Sequence, residues 1–151
     1  MTLSSRIETD YIAAYKAKDS LRLGVLRLLK TAVKNLQVEK MRPLTEDEVL
    51  EVVIRQTKQR QDSIEQYTAA GRQDLADTEA AELEILKDYM PAQIGEDELA
   101  ALVEKTIADL GVSGMQDMGK VMNAIMADYK GRVDGKALSG MVRTKLQAQS
   151  S

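Results

Sequence analysis

Residues 117–136 read DMGKVMNAIMADYKGRVDGK, and their apolar spacing decides the fold class. Met118, Val121, Met122, Ile125 and Met126 recur at i, i+3, i+4, i+7 and i+8, which is the buried stripe of one α-helix. Lys120 and Asn123 fall on the opposite face, free to meet a partner. After Tyr129 the period stops. Gly131 can take the positive φ that ends a helix, and Asp134 stands where it can cap the next one, beginning at Gly135. The stretch therefore predicts helix, loop and helix, with Lys130, Arg132 and Lys136 gathered beside a fresh helix N-terminus.

The same period continues outward in both directions. Downstream, a helix is expected over 135–147, with a frayed tail to Ser151. Upstream, Ser113 with Gln116 as capping partner opens the central helix over 114–129, and Leu99, Leu102, Val103, Ile107 and Leu110 define another over 96–110. Met90-Pro91-Ala92-Gln93-Ile94-Gly95 breaks the pattern, because proline and glycine lie four residues apart there. Before that break four more helices are expected. One opens near Ser5 through Glu8 and reaches Ala17; one starts at Asp19 or Ser20, with Leu21, Val25, Leu28, Leu29, Ala32 and Leu36 on one face and Leu23, Leu26 and Val33 widening the apolar side, so that it is covered on more than one flank. A third follows the capping box of Thr45 and Glu48, with Leu50, Val53, Ile54, Thr57, Ile64, Tyr67 and Thr68 inward and residues 55–66 largely exposed. The fourth covers 73–89. The expected architecture is all-α in two domains, a four-helix unit over 1–90 and a three-helix unit over 91–151.

Composition supports helices and removes chemistry. Without Phe or Trp in 151 residues, the core is left to Leu, Ile, Val, Met and Ala. Without Cys or His, disulfides, thiolate or zinc sites and the commonest general base are excluded. No metal and no cofactor is expected. Residues 1–6 contain no apolar h-region and no segment has the length of a membrane span, so a soluble, cytoplasmic protein is expected.

Charge is unevenly placed. Residues 16–42 hold eight cations against two acids, residues 74–109 eleven acids against two cations, and residues 117–151 six cations against three acids. Two basic zones thus flank an acidic one, a polarity that can steer a polyanion. Within the first zone, Arg27, Lys30 and Lys34 form a basic stripe along the second helix. Within the second, Lys130, Arg132 and Lys136 sit beside exposed backbone N–H groups, where a phosphate is the natural ligand. Lys120 and Arg143 can extend that patch. Gly119 lies inside a helix, where glycine costs about 1 kcal/mol against alanine. Close helix packing explains it, or the near approach of an RNA backbone. The methionines from Met115 to Met126 are read as core, with a soft partner-binding groove as the alternative.

These segments form a recognisable set. Residues 87–93 (KDYMPAQ), 96–98 (EDE), 117–122 (DMGKVM) and 130–136 (KGRVDGK), with Ala17-Lys18-Asp19 and Leu26-Arg27-Leu28-Leu29, resemble the YqeY family over essentially the whole chain. The resemblance implies two helical domains, the C-terminal one similar to the tail of the GatB subunit of tRNA-dependent amidotransferase. It further implies tRNA as a partner, for which Gly119, Lys120, Lys130, Gly131, Arg132, Gly135, Lys136 and Arg143 are the candidate contact read from charge and helix-end position; an aminoacyl-tRNA synthetase or an amidotransferase is the candidate protein partner. The resemblance also carries a carbon–nitrogen ligase activity using glutamine as amide donor. No amidase or kinase-like domain fits within 151 residues, no Ser-Lys constellation stands out, and residues 119–122 (GKVM) lack the flanking residues of a P-loop. A non-catalytic tRNA-binding accessory protein is the leading expectation, with a helical protein–protein adaptor as the alternative.

Overall fold

The computed structural model describes residues 2–150. Among them are seven α-helices, one turn of 3₁₀ helix and no strand, so the all-α expectation holds. The chain divides into two compact units between Met90 and Pro91.

Unit 1 contains α1 (Leu3–Ala17), α2 (Ser20–Lys40), α3 (Glu46–Ala69) and α4 (Gln73–Lys87). α1 packs on α2 and α3 on α4, and α2 joins the two pairs. Helix α1 begins earlier than expected, because Thr2 accepts from the Ser5 N–H at 3.1 Å and caps it. Asp19 caps α2 by accepting from the Arg22 N–H. The capping box on α3 forms as read, Glu48 accepting from the Thr45 N–H and Thr45 from that of Glu48. Arg42, the Thr45 N–H and Lys40 then hold the Glu48 carboxyl well below the usual carboxylate range.

Two helix faces are rotated from their expected stripes. On α2 the buried positions are Val25, Leu26, Leu29 and Val33, while Leu21 and Leu28 face solvent. On α3 they are Val49, Val52, Val53, Thr57 and Arg60, and Thr68 is exposed. Both helices carry more apolar positions than one stripe needs, and packing selects among them. Arg60 is the larger surprise, since residues 55–66 were expected outside. Its Nε lies 3.3 Å from Glu82 Oε2, and one of its terminal nitrogens donates to Gln56 Oε1 at 3.0 Å.

Helix α4 stops at Lys87, short of Tyr89, whose ring is buried. The Tyr89 hydroxyl donates to Asp10 Oδ2 at 2.5 Å, and the Arg6 guanidinium lies 5.0 Å from the ring centroid. Burial and the Asp10 carboxylate both push the phenol well above its ordinary value.

Unit 2 contains α5 (Glu96–Leu110), a 3₁₀ turn (Met115–Asp117), α6 (Met118–Asp128) and α7 (Gly135–Ser150), each α-helix touching the other two. Helix α6 starts four residues later than read, with no side-chain cap, because extended Gly114 leads into the 3₁₀ turn. Helix α7 runs through Gln147 to Ser150, so the tail expected to fray is helical that far; Ser151 lies outside the described residues. The core is aliphatic: Leu99, Val103, Ile107, Val121, Ile125, Val133, Leu138, Val142 and Leu146. Each such side chain contributes about 2 kcal/mol by leaving water. Met118, Met122 and Met126 are partly buried against this cluster, which supports their reading as core, whereas Met115 is exposed.

Candidate nucleic-acid interface

The loop after α6 is built on Gly131, whose φ of 75° only glycine adopts without strain. Its turn is closed by the Arg132 N–H donating to the Tyr129 carbonyl at 2.9 Å. Val133 then inserts into the core. Asp134 caps α7, accepting from the Lys136 N–H at 3.3 Å.

The connecting residues 91–94 lie along this loop. The Gln93 side-chain amide donates to the Gly131 carbonyl at 2.5 Å, the Ile94 N–H to the Arg132 carbonyl at 2.8 Å, and Arg132 Nε to the Ala92 carbonyl at 3.1 Å. The Arg132 guanidinium also rests 5.3 Å from the centroid of Tyr129. Arg132 therefore staples two segments of its own unit together. Gln93, which reading for charge passes over, shares in that contact.

The other predicted cations are spread rather than clustered. Lys130 is half-buried, and Lys120 is exposed on the first turn of α6, near Asp117 at 3.9 Å. From Lys120 to the end of α6 at Asp128 is about 12 Å of helix rise, and Lys130 lies beyond it. Gly119 is exposed, and a Cβ added there meets nothing within 4 Å, so close helix packing does not account for it.

On α7 the grouping is tighter. Lys136 and Arg143 are seven residues apart on one exposed face, with Gly140 between them and Gly135 at the helix start. A Cβ added at Gly135 or Gly140 also meets nothing within 4 Å. Arg143 makes no ion pair among the described residues. Lys145 turns the other way and pairs with Glu104 on α5, holding that carboxyl below the usual range. Between α5 and α7 the surface dips into a groove of about 340 Å³, lined by small residues including Ala100, Ala137 and Gly140 together with the charged Glu96, Lys136 and Lys145.

The second basic stripe lies in unit 1. Rotation of α2 brings Arg27, Lys30 and Lys34 to the seam with α1 instead of opposite the core. Lys30 is committed there, 2.9 Å from Glu8 and 4.0 Å from the centroid of Tyr11.

The family described as Yqey-like protein matches residues 4–146. A relative in Pyrenophora tritici-repentis, altered inheritance of mitochondria protein 41, mitochondrial, is 30% identical over 149 residues, covering 95% of this chain and 81% of its own. Its namesake in Kluyveromyces lactis is 29% identical over 140 residues, covering 91% and 72%. The namesake in Lachancea thermotolerans is 32% identical over 87 residues, covering 57% and 46%. These names overturn the cytoplasmic expectation, since the relatives are mitochondrial proteins. The physical reason is plain: an apolar h-region reports on secretion, and its absence bears on no other compartment.

Proposed function

Because this chain belongs to the Yqey-like protein family, we propose that it is a non-catalytic accessory protein whose unit 2 holds tRNA by its phosphates. One observation carries this reading. On the exposed face of α7, Lys136 and Arg143 flank Gly140, leaving bare backbone between two cations. Such a face admits a sugar-phosphate strand closely and charges it from both sides, without reading bases. Recognition then rests on the shape of the RNA and on its 2′-hydroxyls. Gly119 and Lys120 repeat the combination on α6, and Arg132 acts by holding the loop in place.

The test is an anisotropy titration of labelled total tRNA across a salt series. Lys136→Glu with Arg143→Glu is expected to weaken binding and to reduce the slope of log K against log salt by about 1.5. Absence of binding at low salt, or a slope unchanged by the two reversals, overturns the reading.

A further inference from the structure

A groove of about 430 Å³ runs between α1 and α2, and its chemistry differs from the faces of unit 2. Its floor is apolar, made by Ile7 and Val33, both buried, beside Tyr11. Its α2 rim carries Arg27 and Lys34, both exposed and without an ion pair or hydrogen bond among the described residues. Apolar side chains also stand in solvent beyond the lining. Tyr15, one turn past Tyr11, is 66% exposed, and Val38, one turn past Lys34, is 69% exposed. The lining on α2 runs from Arg27 to Gln37. That corresponds to about 15 Å, or three turns of a helix laid alongside.

We propose that this groove docks an acidic amphipathic helix of a partner protein. An apolar stripe at i, i+3, i+4 and i+7 fits a seam between two antiparallel helices, and its flanking carboxylates meet Arg27 and Lys34. Charge complementarity across such a rim fixes orientation and raises the on-rate. RNA suits the groove less well: Lys30 already covers the Tyr11 ring on which a base would stack. A second copy of this chain also fits poorly. The exposed acidic face of α4, through Asp77 and Glu84, has only Ala81 between its acids and nothing to fill an apolar floor. This inference rests on unit 1 alone and survives failure of the tRNA reading.

The test titrates the full-length ¹⁵N-labelled protein with a synthetic helical peptide of about fourteen residues, Leu on one stripe and Glu on its flanks. A scrambled peptide of the same composition and total tRNA serve as competitors. Expected are saturable shifts at Tyr11, Thr31, Lys34 and Val38, and an affinity reduced about tenfold or more by Arg27→Glu with Lys34→Glu. Circular dichroism of that variant should match the parent, and Val38→Asp should weaken binding independently. No saturable binding at about 1 mM peptide, equal binding of the scrambled peptide, shifts mapping elsewhere, displacement of the peptide by tRNA, or a self-associated protein dispersed by the double reversal would each overturn the proposal.

Discussion

Arg60 in unit 1 lies in the α3–α4 seam with its side chain 8% exposed, 3.3 Å from Glu82, whereas Arg143 in unit 2 stands in solvent with no carboxylate partner among the described residues. The contrast is between sites and not whole units, since Arg27 and Lys34 stand unpaired among the described residues of unit 1 and Lys145 pairs with Glu104 in unit 2. In unit 1, Lys30 meets Glu8, Lys40 and Arg42 meet Glu48, and Tyr89 with Arg6 ties the end of α4 to α1. The core of unit 2 is closed by aliphatic side chains, and Arg143 together with the open glycines stays at its surface. A charge fastened inside a fold costs desolvation and is recovered only by its partner. One left outside costs nothing to keep and remains available to a ligand.

The sharpest way to break this comparison is to strand the buried charge. Glu82→Ala leaves Arg60 without its carboxylate and is expected to destabilise by about 3 kcal/mol. Adding Arg60→Met should recover most of that loss, since a flexible apolar chain of similar length fills the same seam. Chemical denaturation of the single and double variants measures both. If Glu82→Ala is neutral, Arg60 is solvated through a route the seam does not reveal, and unit 1 is not fastened by charge.

A smaller effect is expected from Tyr89→Phe, which removes the hydrogen bond to Asp10 but keeps the ring. The loss should be about 1 kcal/mol at neutral pH. The pH dependence is more diagnostic. The folded phenol titrates above its unfolded value, so the folded state keeps a proton that the unfolded state releases. That contribution is complete below about pH 10 and falls away as pH rises further. Parent and variant denaturation curves should therefore converge above that pH. Parallel curves would mean that the folded phenol does not hold its proton above the unfolded value.

Where the sequence was legible, one strong local signal stood alone. Thr45 with Glu48, Gly131 and Asp134 each had a single steric or capping solution, and the structure takes it. Helix faces were harder wherever apolar residues were in excess. Leu21 and Leu28 compete with Leu26 and Val33 for the core of α2, and only contact with α1, α3 and α4 decides between them. Arg60 was unreadable for the same reason, because its burial depends on Glu82 more than twenty residues away. At the candidate interface, charge and loop position were legible, but Arg132 was not. Its engagement with Ala92 across forty residues of chain is a tertiary fact with no local trace.

The finest test separates glycines kept for a ligand from glycines that are merely tolerated. Gly119 in unit 2 and Gly24 in unit 1 both lie within α-helices, and a Cβ added at either meets nothing within 4 Å. Alanine at each should therefore stabilise by about 1 kcal/mol, through a less flexible unfolded chain and better helix propensity. On stability the two positions are equivalent. They should part on binding, because Gly119 adjoins Lys120 on the face proposed to admit a phosphate strand. Gly119→Leu is expected to weaken tRNA binding by severalfold, and Gly24→Leu to leave it unchanged, in the same anisotropy titration. Equal effects at both positions would mean that the bare face of α6 serves no strand. The proposed presentation of charge to a strand by unit 2 would then rest on α7 alone.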